Sequence, residues 1–151
     1  MRLKLEEWTS LASLALSIMF VVLLLSFYNF LIGPEGEGPE AVVDPGSLVL
    51  QEIFISGAPS LALAGFAFGM AKTFGTKIGG TMLVASGVIM IAGMIAGIPL
   101  LARISEQYIV GVVGYVPYFF MTAGAGVAAM GGYLIAATKR RPISSDLDDL
   151  R

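Results

Sequence analysis

Four apolar runs, each long enough to cross a bilayer, alternate with short polar segments along the chain. The first extends from Trp8 to Ile32; at ~1.5 Å per residue it covers more than the ~30 Å hydrocarbon core of a bilayer. Trp8 at one end and Phe27, Tyr28 and Phe30 at the other suit the two interfaces, and Gly33 and Pro34 stop the helix. The same pattern predicts spans at about 8–32, 53–71, 78–98 and 116–138, joined by an acidic outer loop at 33–52 and an outer linker at 99–115, with a cytoplasmic tail at 139–151. No internal repeat relates the spans. The expected fold is an all-α integral membrane protein: a single domain of four transmembrane helices in an antiparallel bundle, with both termini cytoplasmic.

The connections read less uniformly. Glycine, proline and glutamate dominate residues 33–40, an irregular loop. Asp44, Pro45, Gly46 and Ser47 suit either a β-turn or a helix N-cap with proline at the first helical position. The apolar stretch Leu48 to Ile55 then predicts an interfacial helix leading into the second span, preferred over a short hairpin. Lys72 to Lys77 is a short basic turn, which predicts that spans two and three are antiparallel neighbours. Residues 103–115 form either an interfacial helix or an extension of the fourth span, which carries Pro117.

Charge sets the orientation. With the N-terminus in the cytoplasm, Arg2, Lys4, Lys72, Lys77, Lys139, Arg140, Arg141 and Arg151 fall on that side and Arg103 alone on the other, as the positive-inside rule demands. Arg2 and Lys4 before an apolar run also resemble the start of a secretory signal. The run is too long for one, lacks a small-x-small cleavage site, and follows Glu6 and Glu7, so it is read as a retained helix. Glu6 and Glu7 are expected to be solvated at the interface. So are the loop acids Glu35, Glu37, Glu40 and Asp44, which match no calcium-binding loop.

Composition excludes much chemistry. The chain is 56% hydrophobic and 13% charged, against about 25% charged in soluble domains. A net charge of −2 argues against a nucleic-acid surface. There is no cysteine and no histidine, which removes disulfides, thiolate and imidazole metal ligands and the commonest general base. No cofactor, metal or catalytic residue is expected, and the isolated chain does not read as an enzyme. With spans drawn at these boundaries, no ionisable side chain other than tyrosine lies inside one; intramembrane charges usually mark proton or substrate paths.

What remains is packing. Gly65 and Gly69 in span two and Gly93 and Gly97 in span three each form a GxxxG pair, while Gly124, Ala128, Gly132 and Ala136 recur every four residues along span four. Such small residues let helix backbones approach closely, within the bundle or against another subunit. In span one, Ser10, Ser13 and Ser17 share a face and are expected to bond back to their own helix carbonyls. Met90 and Met94 read as packing rather than a copper site. Tyr115, Tyr118, Phe119 and Phe120 form an aromatic cluster at the outer boundary, an interfacial belt or a contact for a lipid or quinone.

These features lead to the expectation of a non-catalytic accessory subunit of a larger membrane complex, with a respiratory oxidoreductase or a membrane monooxygenase as hosts by analogy. The partners are then the lipid bilayer and other integral membrane subunits, in the cytoplasmic membrane. The alternative is a small oligomeric transporter or channel for a neutral solute, which requires a continuous polar seam through the bundle.

Overall fold

Pro34 and its neighbouring glycines end the first helix as expected. The computed structural model, which describes residues 4–34, 36–74 and 77–139, shows α1 over Leu5–Ile32. Gly33 follows at φ +71°, with its N–H bonded to the Phe30 carbonyl; a Cβ there would lie 2.1 Å from the Gly38 carbonyl oxygen, so only glycine fits this turn. At the other end Glu7 reaches back to accept the Lys4 backbone N–H at 2.9 Å, satisfying one of the donors that a helix start leaves free. Arg2, Glu35, Arg140, Arg141 and Arg151 lie outside the described residues, as does the rest of the tail beyond Lys139.

The second span begins earlier than hydropathy suggested. Asp44 accepts the Gly46 N–H at 3.1 Å and caps α2, Pro45–Glu52, with proline in its first turn. Helix α2 does not lie apart in the interface: it continues through a π-helical turn, Ile53–Gly57, into α3, Ala58–Phe74. The widening has a local cause. Pro59 has no N–H and its ring crowds the carbonyl four residues back, while the Ala58 N–H bonds five residues back to Ile53.

Helix α4 runs Lys77–Leu101, passing Pro99. After a 3-10 turn at Glu106–Tyr108, α5 runs Gly111–Lys139. The ambiguous linker therefore divides: its last residues extend α5, and the remainder is a compact outer connection. Four helical segments, Leu5–Ile32, Pro45–Lys72, Lys77–Leu101 and Gly111–Thr138, are long and apolar enough to span a membrane.

The packing order differs from the chain order. Helix α1 packs extensively on α4 and on α3, and α4 packs most extensively on α5; α3 touches α5 and α4 only sparsely. The short basic connection thus joins two helices that are not principal neighbours, contrary to the expectation for spans two and three. The α3–α4 approach is limited because α1 occupies the inner face of both. Across the other diagonal, large side chains bridge α1 and α5: the Phe20 and Phe120 rings lie 4.3 Å apart between centroids.

Buried positions on α1 fall at Glu6, Ser10, Ser13, Ser17, Phe20, Leu24, Phe27 and Leu31, alternating three- and four-residue steps as in a left-handed coiled coil. Two apolar clusters fill the interior. The larger, outer one contains Phe20, Leu24, Tyr28, Met90, Met94, Val113 and Phe120; the inner one joins Ala64, Ala67 and Ala71 of α3 to Leu83, Val127 and Leu134.

Candidate functional site

The polar groups of this apolar chain are gathered on the inside. Ser10 does bond back to its own helix, donating to the Glu6 carbonyl at 2.8 Å. Ser17 has the expected own-helix acceptor, the Ser13 carbonyl, but also reaches two other helices, and Ser13 bonds across to α3, contrary to the expectation that all three stay local. The Ser13 hydroxyl donates to the Ser60 carbonyl and the Ser60 hydroxyl to the Ser13 carbonyl, both at 3.0 Å, a reciprocal clasp between α1 and α3. Ser17 Oγ lies 2.6 Å from Ser60 Oγ and 2.5 Å from Ser86 Oγ of α4, and 2.9 Å from the Ser13 carbonyl. Each hydroxyl has one hydrogen. With Ser86 donating to Ser17 and Ser13 to the Ser60 carbonyl, Ser17 and Ser60 share two acceptors, either Ser17 to Ser60 and Ser60 to the Ser13 carbonyl, or Ser60 to Ser17 and Ser17 to the Ser13 carbonyl; both directions use every hydrogen. All four serines are buried, and three helices are tied at one level.

Above this knot, toward the outer end, the Phe20–Phe120 pair closes the interior. It packs over Gly57 in the π turn, where a Cβ would fall 2.8 Å from Phe120 Cζ and 3.0 Å from Phe20 Cε2. Beyond the pair, Tyr28 is fully buried and donates its hydroxyl hydrogen to the Val113 carbonyl of α5 at 3.0 Å.

Two acidic side chains, Glu6 and Glu7, correct the expectation that they are solvated at the interface, and a third, Glu52, is partly enclosed. Glu6 and Glu7 are 6% and 5% exposed, and Glu6 Oε1 has no hydrogen-bond partner; the heptad face of α1 turns Glu6 into the bundle. Glu52, placed before the second span by hydropathy, lies within the helical segment Pro45–Lys72. Its Oε2 is enclosed and unpartnered. Ser56 donates to the Glu52 backbone carbonyl at 2.9 Å and is not engaged with the carboxylate. Glu52 thus belongs to the same continuous helix as the second apolar run, which hydropathy alone began at Ile53.

The small residues divide into inward and outward sets. Gly93 faces Val21 and Gly97 faces Tyr28 of α1. Gly124 faces Gly87 and Met90 of α4, and Ala128 lies against Gly87. Gly65 and Gly69 on α3, and Gly126 and Gly132 on α5, have no atom within 4 Å of a built Cβ; Ala136 is exposed. The four-residue stripe on α5 winds away because each four-residue step advances about 40° beyond a full helical turn. The face against α4 continues instead through Gly131, whose Cβ would lie 2.6 Å from the Gly80 carbonyl oxygen and the Val84 nitrogen. Gly80, Gly87 and Gly131 are contact residues that a search for four-residue spacing missed; a heptad count would have found them.

The aromatic cluster also divides. Tyr115, Tyr118 and Phe119 are exposed at 76%, 53% and 63%, whereas Phe120 is in the core. Tyr115, Phe119 and the edge of Phe120 line an outward apolar groove of about 520 Å³ with Ile53, Val112 and Val116. Met90 and Met94 are fully buried core residues. Among the described residues, no group of three or more acidic side chains is placed to hold a metal ion. No family model matches the chain, and neither a curated protein nor a solved structure matches it.

Proposed function

We propose that this chain is a non-catalytic accessory subunit of a larger integral membrane complex. One observation carries the reading: α3 and α5 turn glycines outward with nothing against them, Gly65, Gly69, Gly126 and Gly132. Lipid chains are as apolar as leucine, so outward small residues gain most from a second helix that packs closely on them. The cytoplasmic membrane is the proposed location, with the lysine- and arginine-rich ends facing the cytoplasm. A respiratory oxidoreductase or a membrane monooxygenase is the host by analogy.

Gentle solubilisation and capture of the chain test this. Stoichiometric recovery of larger membrane subunits is expected, and Gly65→Leu with Gly132→Leu should release them while leaving the melting temperature of the purified chain unchanged. Recovery of the chain alone, or as a small homo-oligomer, refutes the reading.

The buried serines favour a second reading, a small oligomeric transporter or channel for a neutral solute. Its path would run along the serine faces of α1, α3 and α4 and is closed at Phe20 and Phe120. Flux into proteoliposomes, raised by Phe20→Ala, is its signature; no flux in either form removes it.

A further inference from the structure

Glu52 has a chemistry that neither packing nor assembly accounts for. It is the last residue of α2, ~12 Å along the helix from the Asp44 cap at ~1.5 Å per residue, and within a helical segment long and apolar enough to span a membrane. Its side chain is half-buried, with Oε2 enclosed and without a partner. A carboxylate oxygen withdrawn from water without a counter-charge is disfavoured, and ionisable side chains at such positions mark proton and ion paths.

The surroundings supply no counter-charge. Among the described residues, Lys4, Lys72 and Lys77 sit at the opposite end of the bundle, and Arg103 is exposed on the outer connection. The neighbouring donors are already committed: the Ser56 hydroxyl to the Glu52 carbonyl, and the Tyr28 hydroxyl to the Val113 carbonyl. Of the elements packed against α2, α1 presents Tyr28, and α5 presents Val113 and Val116; the α5 tyrosines Tyr115, Tyr118 and Tyr133 point outward. Tyr108, half-buried, borders the same cluster from the outer connection, and Asp44 is exposed at the outer end of α2. The π turn that starts at the next residue widens the helix at this point, a device that recurs at functional sites.

We propose that Glu52 is a proton-exchange site of the outer half of the bundle. The carboxylate takes up one proton from the outer aqueous phase to become the neutral acid, and it returns that proton when the outer phase turns alkaline. The site is independent of whether the chain is an accessory subunit.

Infrared difference spectra of the purified full chain in lipid nanodiscs, between acidic and alkaline buffer, test the site with the proton itself as probe. The parent should show a protonated-carboxyl band at higher frequency than a water-exposed acid gives. That band should be lost in Glu52→Gln and unchanged in Glu40→Gln, which removes an exposed loop acid. Should Glu52→Gln fail to fold, Glu52→Asp keeps an acid on a shorter stem and must move the band. High-frequency regions that superimpose for the parent and the Glu52 variant overturn the proposal, as does a parent spectrum with no such band.

Discussion

Tyr28 donates its hydroxyl hydrogen to the carbonyl of Val113 at 3.0 Å, and Val113 stands four residues before Pro117 in α5. In an α-helix that carbonyl would accept the N–H of residue 117, but proline has none. A side chain from α1 thus fills the hydrogen bond that α5 cannot make for itself. Tyr28→Phe should lower stability by about 1–3 kcal/mol, because a buried carbonyl loses its partner. In a Pro117→Ala background the helix restores its own bond, and the same substitution should cost measurably less. Thermal or denaturant melting of the four proteins in one detergent checks this; equal losses in both backgrounds would show that the tyrosine contributes by packing alone.

The serine knot should behave as one unit. Ser17→Ala removes the hydroxyl that both Ser60 and Ser86 approach, and a loss of about 1–2 kcal/mol is expected, the upper range for interhelical hydrogen bonds in membranes. Adding Ser86→Ala to Ser17→Ala should then add little. Strict additivity in this double-mutant cycle would show that the 2.5 Å contact carries no coupling energy.

Glycines of equal apparent merit should differ sharply. A Cβ on Gly87 would lie 2.3 Å from the Gly124 carbonyl oxygen and 2.5 Å from the Ala128 nitrogen, both backbone atoms. Gly87→Ala must therefore separate α4 from α5, with an expected loss of about 1–3 kcal/mol from overpacking. Gly65→Ala meets nothing and should melt at or slightly above the parent temperature, since alanine suits a helix better than glycine. Comparable losses at the two positions would refute the assignment of inward and outward faces.

Orientation is open to direct labelling, because the chain has no cysteine of its own. With the basic ends inside, Glu37→Cys should react with a membrane-impermeant maleimide in intact cells. Lys72→Cys should react only after permeabilisation. The reverse pattern would invert the topology and place Glu52 on the cytoplasmic side.

The Gly93 and Ala128 positions show how far a sequence pattern can be taken. As small residues in apolar helices they are equally suited to contacts within the chain and between chains. Gly93 packs against Val21 and Ala128 against Gly87, within the chain, so bulky replacements there probe folding before assembly. The outward Gly65, Gly69 and Gly132 are the positions that isolate assembly. Glu52 is the converse case. Its neighbours in sequence include Asp44, Pro45 and Gly46, which carry loop signals, and hydropathy alone set the helix start at Ile53. The Asp44 cap and Pro45 were visible as a helix start, but a β-turn fitted the same residues.

By itself the sequence determined that four helices exist, roughly where they end, and which chemistries are missing. Those properties follow from the transfer of each residue between water and lipid and from local breakers such as Gly33 and Pro34, and they add up along the chain without knowledge of neighbours. Tertiary structure alone decided that α4 packs on α5 and α1 rather than on α3, that Ser17 meets Ser60 and Ser86, that Tyr28 completes the ladder of α5, and that Glu52 and Glu6 turn inward. In helices apolar on every side, hydropathy does not distinguish a face toward lipid from a face toward protein. That choice rests on close backbone approach and on the pairing of a few polar groups, both of which join residues far apart in the chain.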